Sequence, residues 1–541
     1  MRDPSPAVQA SPAPPGQSRR LRTAAFILLL AGTALYYARF IYGCSFTMDG
    51  TRYFCLMDDT MISMRYARNL ASGNGLVWNV GEAPVEGFTN PAWVLVMTAA
   101  HMLPLPAAQT GLCVQIIAAL CLLANLWVIR SLSQRLAPDR LLPAWTAMGL
   151  CVVFLPLTFA VPAGLEQCLA ILLVDWALLE ALKGLDRERM NPRVYVIMAA
   201  ALWVRMDLLI PFLAVWILLA LWDAPHRGAH LRMGAMAMGI SLGLQTIARM
   251  AYFGEWLPNT YYAKLTGFPL VPRLIRGAAD LAAFAWSMNP ILVLLPLVVL
   301  KPWRSLRIGL PAAILAGQAA YHVYVGGDIV YSRFLLTAMP LFFLLLGLTF
   351  QKILDACDRS PRRKLFRAGL YALLPVVAMV YSGIQDLRTA RLWLGDAHEL
   401  GRHSMAYYNE SHVRRSLLVN QLILPGARVA VTWAGVQGYF INGNIVDLLG
   451  LCDPIIAHRP AHVPEGPRRW AAFYPGHMKW DHAHSIGTLR PDLVIEFWGE
   501  SRDVAPYLER DYQLVRRAET PLWIRRDSAL IRRENLGLSP R

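Results

Sequence analysis

The chain is poor in charge: of its 541 residues only 16% are Asp, Glu, Lys or Arg, against 56% hydrophobic residues and a mean hydropathy of +0.38. That scarcity excludes a soluble enzyme of ordinary composition and leaves an integral membrane protein. Acidic residues are the scarcer kind, 36 against 52 basic ones, for a formal charge of +16. In a membrane protein such an excess serves orientation and the anionic inner leaflet. No basic run is interleaved with aromatics, so no nucleic-acid partner is expected. The eight cysteines show no CxxC and lie mostly inside apolar runs. Only Cys44 and Cys55 share a loop expected outside, where one disulfide stays open. The first apolar run lacks a small-residue cleavage site, and no internal repeat is visible, which argues against an inverted-repeat transporter.

What is present is a series of apolar runs. Residues 1–20 are rich in Pro, Ser and Arg and predict a disordered cytoplasmic tail. An uncleaved first helix is expected over 21–42. Further spans are expected near 109–129, 141–161, 165–184, 194–204, 207–223, 231–253, 281–300, 307–325, 333–350 and 366–385, about eleven passes in all. Basic residues mark alternate loops as cytoplasmic: Arg130 to Arg140, Lys183 to Arg193, Arg227 and Arg232, Lys301 to Arg307, and Lys352 to Arg367. The same parity makes 90–105 a re-entrant or interfacial piece and 194–223 a pair of short helices meeting near Arg205.

The polar segments without positive charge then fall together on the outer face. They are the first loop, 43–89, the turns AGLEQ (163–167) and VRMD (204–207), FGEWLPNTYYAK (253–264) and GGDIVYSRF (326–334). Polar groups are costly in hydrocarbon, so their convergence predicts one outward-facing cavity. The fold class expected is a polytopic α-helical membrane protein, with a transmembrane part over 21–385. Strand-like pieces such as RVAVTWAG, NIVDLLG, PDLVIEFWG and YQLVRR predict a periplasmic mixed α/β domain over 386–541.

In DDTMISMRYARNLASGNG, Asp58 has the position of a helix N-cap and Asp59 suits the first-turn dipole. Both cannot cap, and the other carboxylate is free to act as general base or to help hold a divalent cation, Mg or Mn. Arg65 and Arg68 on the same helix are phosphate binders or interfacial anchors. Glu166 and Asp207 lie at helix ends beside Arg205. Asn259, Tyr261, Tyr262 and Lys264 read either as a loop feeding a short helix at a site or as an aromatic belt with a snorkelling lysine. Asp328 and Arg333 follow two glycines that allow tight backbone near a ligand. His477, His482 and His484 lack the closed ligand set of a zinc site.

The stretch from Asp58 to Trp93, with its DD, RYARNL, GNGLVWN, GE and VEGFTN elements, resembles the first outside loop of the AftB-like membrane arabinofuranosyltransferases. So do GLEQ (164–167), VRMD (204–207), YFGEWLPNTYYAK (252–264), VGGDIVYSRFLL (325–336), VDLLGLCDPIIA (446–457) and PGHMKWD (475–481). VRMD has Met where the family pattern carries Pro, and IVYSRF replaces MxxxRF. The resemblance implies a GT-C glycosyltransferase, related also to pilin arabinosyltransferases. Its donor would be polyprenyl-phosphate arabinofuranose, and its acceptor a cell-envelope glycan or pilin at the periplasmic face of the inner membrane. It implies that the catalytic base lies within Asp58 and Asp59. Arg65, Lys264, Arg333 and Arg205 would meet the donor phosphate, and Glu166, Asn259, Tyr262, Asp328, Asn90 and Asp207 would bind sugar or acceptor. Two alternatives remain: a transferase for another polyprenyl-phosphate sugar such as mannose, and a non-enzymatic binding or transport protein for lipid-linked sugars.

Overall fold

The computed structural model describes residues 15–328, 333–357, 369–370, 373, 376–377, 404–466, 469–517 and 520–536. Helix α1 (Pro15–Gly43) already begins inside the segment expected to be a disordered tail. A hairpin follows, β1 (Phe46–Met48) and β2 (Thr51–Tyr53), joined by Asp49 and Gly50, both at positive φ. A two-residue Asp-Gly turn is the connection whose twist matches paired strands. The first loop then forms α2 (Asp58–Ala71) and runs to α3 (Pro91–His101), which buries Trp93 and Met97.

The helical bundle continues with α4 (Ala107–Leu136), α5 (Leu142–Val153), α6 (Leu155–Ala160), α7 (Gln167–Asp186), α8 (Arg193–Val204), α9 (Leu209–Trp222) and α10 (Arg227–Phe253). Next come α11 (Asn259–Leu265), α12 (Leu270–Ser287), α13 (Pro290–Leu300), α14 (Leu306–Val325), α15 (Arg333–Leu336) and α16 (Met339–Cys357). Among the described residues four helices are long and apolar enough to cross a membrane, six if each of two bent pairs is one span. The span expected at 366–385 lies mostly outside the described residues.

The single span expected over 281–300 is broken. Asn289 at positive φ accepts from Ile291 N at 3.1 Å, Pro290 opens α13, and the pair bends by 88°. Proline without an N–H suits a helix start and cannot continue the helix before it. The 333–350 run is likewise divided into α15 and α16. The pair α8 and α9 does meet at Arg205, which is extended (φ −157°, ψ 133°).

Several loops expected on the cytoplasmic side meet at one end of the bundle. Asp186 pairs with both Arg135 and Arg307, and Arg140 with Asp355 at 3.1 Å. The other ends of α7 and α14 carry Glu166 and Gly327, which line a cavity. A 20-residue helix such as α7 separates these two ends by about 30 Å.

Beyond the bundle, α17 (Ser404–Leu422), β3 (Arg428–Val431), α18 (Val436–Phe440), β4 (Asn444–Asp447), β5 (Leu493–Val494), β6 (Tyr512–Arg517) and β7 (Thr520–Arg525) build a mixed sheet of order β4-β3-β5-β7-β6. β3 is parallel to β4 and β5, and β7 is antiparallel to β5 and β6. All eight cysteines are free, Cys44 and Cys55 included.

Candidate active site

Helix α2 carries two functional faces. At 100° per residue, positions 59, 62 and 63 share one side, while 58 and 65, seven apart, share another. Asp59, Ile62 and Ser63 line a cavity of about 330 Å³. Asp58 and Arg65 instead face the C-terminal sheet unit. The N-cap position of α2 is Met57, with no side-chain cap, so Asp58 does not cap its own helix. Its carboxylate accepts from Val436 N at 2.8 Å and Gly435 N at 3.3 Å, holding the start of α18. A Cβ on Gly435 would collide with the Asp58 carbonyl, so glycine is required for this approach. Burial, opposed by the Val436 bond and reinforced by Asp59, pushes the Asp58 carboxyl up to about 7.

Arg65, expected at the donor phosphate, is committed elsewhere. Its guanidinium donates to Trp78 O at 2.7 Å, Asn79 Oδ1 at 2.8 Å, Gly443 O at 3.1 Å and Gly438 O. The same division repeats on α11. Lys264, Thr260 and Tyr261 line the cavity, while Asn259 donates to the carbonyls of Gly450 and Leu451 at 2.9 and 2.8 Å. The Tyr262 ring packs at a tilt against His458, ring centroids 4.2 Å apart.

The cavity gathers Asp59, Asn90, Glu166, Arg205, Asp207, Lys264, Asp328 and Arg333 from segments spread over the first 333 residues. Two arginines organise it. Arg205 donates to Glu166 at 2.5 Å and to both oxygens of Asp207 at 2.8 and 3.2 Å. Glu166 also accepts from Asn90 at 3.1 Å, and Asn90 from Ser63 at 3.0 Å. Arg333 donates to Asp59 at 2.8 Å and pairs with Asp328 at 3.1 Å. The Phe334 ring lies beneath both guanidinium groups, 5.5 Å from Arg205 and 5.7 Å from Arg333. Lys264 approaches Asp59 only to 3.7 Å and is about a third exposed. Burial favours a neutral Asp59, but Lys264, Arg333 and the Arg333 hydrogen bond outweigh it and hold this carboxyl well below the usual carboxylate range.

By sequence, residues 403–532 match a family model described as Domain of unknown function (DUF8728), and no curated protein matches the chain. Among solved structures, ArnT from Cupriavidus metallidurans bound to undecaprenyl phosphate is similar over 96% of this chain and 100% of its own, with TM-score 0.54 and 12% identity. Its apo state gives 0.53 over 93% and 98%, also at 12% identity. The archaeal oligosaccharyltransferase AglB from Archaeoglobus fulgidus, in complex with an inhibitory peptide and a dolichol-phosphate, gives 0.50 over 94% and 75%, at 10% identity. The chain shares the fold of these structures, and among its described residues four helices are long and apolar enough to cross a membrane.

The carboxylates of the cavity are paired with its arginines. Among the described residues no three His, Cys, Asp or Glu side chains converge to hold a metal. Glu166 and Asp207 are taken by Arg205, Asp59 and Asp328 by Arg333. Several cavity groups escaped the reading of the sequence: Ser63, Phe334 and Pro475. Ser63 had a signal, since it stands one helical turn after Asp59. Phe334 and Pro475 had none beyond their place in the quoted motifs.

Proposed function

We propose that this chain is an inverting glycosyltransferase that takes a sugar from a polyprenyl monophosphate at the cavity. The observation that carries the reading is Asp59, a carboxylate held by Arg333 and Lys264 in a cavity whose lining residue Phe334 is followed in the chain by Leu335 of an apolar groove. The groove, about 250 Å³, lies between α12, α13, α14 and α16 and is lined by Leu281, Phe284, Leu315 and Phe342. Leu335 and Ala338, which also line it, stand two and five residues after Arg333. A long isoprenoid suits such a groove, and the phosphate at its end suits the two cations.

The chemistry follows from charge. An acceptor hydroxyl oxygen attacks the anomeric carbon, the carbon–oxygen bond to phosphate breaks, and the lipid phosphate leaves with the electron pair. The hydroxyl proton passes to Asp59. In the free enzyme Lys264 and Arg333 make Asp59 a weak base; donor phosphate, by drawing on the same cations, restores its basicity. Negative charge developing on the leaving phosphate is met by groups already in place. Arg205, bound to two carboxylates, holds Glu166 and Asp207 for sugar hydroxyls.

The donor sugar we assign is arabinofuranose, supported by the run of motifs from DDTMISM to PGHMKWD, and the acceptor is a cell-envelope glycan or pilin. The cavity and C-terminal unit face the periplasm, with the basic loops on the cytoplasmic side of the inner membrane, as the charge distribution favours. The test is transfer by the purified protein from radiolabelled decaprenyl-phosphoryl arabinofuranose, beside its mannosyl counterpart. Arabinose transfer with inversion is expected. Transfer of mannose alone overturns the donor, and binding of both lipids without transfer overturns the enzyme. Alkaline phosphatase fused after Gly450 should be active; an inactive fusion overturns the orientation.

A further inference from the structure

The PGHMKWD segment brings a group of aromatic rings to the edge of the cavity. Pro475 lines the cavity and Gly476 packs on Lys264. The segment is firmly seated, since the buried Lys479 donates to Tyr262 O at 2.9 Å, Thr266 Oγ1 at 2.9 Å and Ala457 O at 2.6 Å. Around His477 stand Tyr474 at 4.4 Å, Trp498 at 5.1 Å and Trp433 at 5.6 Å, centroid to centroid. Trp433 meets Trp498 edge-on at 85°, and Tyr474 lies nearly parallel to Trp498, at 17°.

These rings are not core. None of the four belongs to a hydrophobic cluster of the protein, all are partly exposed, and Tyr474 is 38% exposed. Large aromatic surface left outside the core, beside a reactive carboxylate, marks a binding surface more than a packing one. Glu496, two residues before Trp498 in the chain, is an acceptor held by Gln437 at 3.2 Å and Arg415 at 3.2 Å.

We propose that Trp433, Tyr474, His477 and Trp498 form a stacking surface for the sugar rings of a glycan acceptor, leading its terminal hydroxyl to Asp59. This rests on the transferase reading and names its acceptor as a carbohydrate. A sugar ring offers weakly positive C–H groups on its faces, which match the negative faces of aromatic rings. Its hydroxyls donate at its edges, where Glu496 accepts. An acidic or phosphorylated partner would meet the carboxylate of Glu496, and a lipid would gain nothing from it.

The test is calorimetric titration of the purified full chain with neutral hexasaccharides derived from arabinan, mannan and glucan, and with a Gly-Ser hexapeptide. Undecaprenyl phosphate is titrated separately. The expected result is saturable binding of at least one hexasaccharide, weakened about tenfold or more by Trp433→Ala and by Tyr474→Ala, a change of about 1.4 kcal/mol or more. Undecaprenyl phosphate should bind all three proteins alike, which shows that they are folded. Tyr474→Ala removes an exposed ring and keeps the test open should Trp433→Ala not fold. Binding of the peptide but of no hexasaccharide, or hexasaccharide binding unchanged in Tyr474→Ala, overturns the proposal. Binding needs no donor, so hexasaccharide binding without any transfer would sink the transferase reading and leave the stacking surface standing.

Discussion

Arg65, buried, and Arg333, partly buried, both lie within reach of the same short helix, and they perform opposite tasks. Arg65 spends its donors on neutral oxygens, three of them backbone carbonyls and two of those in the C-terminal unit. Burial, with Arg68 beside it, pulls its guanidinium down to about 9, so it stays protonated at neutral pH but gains no charge partner. Arg333 faces Asp59 and Asp328 and can exchange one carboxylate for a phosphate. An arginine that satisfies carbonyls fastens a fold, because every acceptor it leaves becomes an unpaired buried group. An arginine held between carboxylates is an electrostatic site, because a competing anion can share it.

The comparison breaks most sharply at the adjacent aspartates. Asp59→Asn should lower transfer by about 10²–10⁴, the range for a general base, with its melting transition in place. Asp58→Ala should retain the chemistry in folded protein but lose about 1–2 kcal/mol, because two N–H groups at the start of α18 lose their acceptor. Limited proteolysis should then release the 404–536 region sooner. Equal loss of transfer in both variants at equal stability would merge the two faces of α2 into one.

The sequence made the polar groups around the cavity legible because hydrocarbon makes polar side chains costly and so confines them. Glu166, Arg205, Asp207, Asp328 and Arg333 could be grouped from loop parity alone. It misled at Arg65, Asn259 and Tyr262, which were grouped by motif, whereas the helix separates them by angle. Asp59 and Arg65 are six residues apart, about 240° around α2, so one cavity cannot receive both directly. That angle was available from the spacing; the partner of the other face was not. Asp58 and Arg65 bind Gly435, Val436, Gly438 and Gly443, more than 370 residues away, and nothing in the local pattern announces them. The strands β3, β4, β5 and β6 fall within the strand-like pieces RVAVTWAG, NIVDLLG, PDLVIEFWG and YQLVRR. β7 was missed, with Pro521 interrupting its pattern.

A smaller separation is expected between the two arginines. Arg333→Ala should weaken binding of undecaprenyl phosphate by about 2 kcal/mol or more, the cost of truncating one partner of a charge pair, and Arg333→Lys should restore part of it. Arg65→Ala should leave that affinity unchanged and lower stability by about 3 kcal/mol, since its carbonyl partners are left unpaired in the seam. Calorimetry reads the first and thermal unfolding the second. A donor-affinity loss in Arg65→Ala as large as in Arg333→Ala would return Arg65 to the site.

The mildest effect is the dependence on pH, where the aspartates should again part. Asp58 is raised in the fold, from 3.8 to about 7. Over that interval the native state holds a proton the unfolded chain has lost, so stability falls as pH rises through it. Asp59 is lowered, so the stability it contributes is present above the ordinary carboxylate range and is lost only in stronger acid. Hydrogen exchange at Val436 and Gly438 should therefore quicken between pH 5 and about 7.5 in the wild type. In Asp58→Asn, which keeps an acceptor oxygen but has no titrating proton, the rise should exceed the ordinary base catalysis of exchange by nothing. Transfer should show no acid limb from Asp59 across the same range in kcat/KM, a quantity that reports the free enzyme. A limb near neutrality that disappears in Asp58→Asn would instead bring Asp58 into the chemistry, and the seam and the cavity would then share a proton.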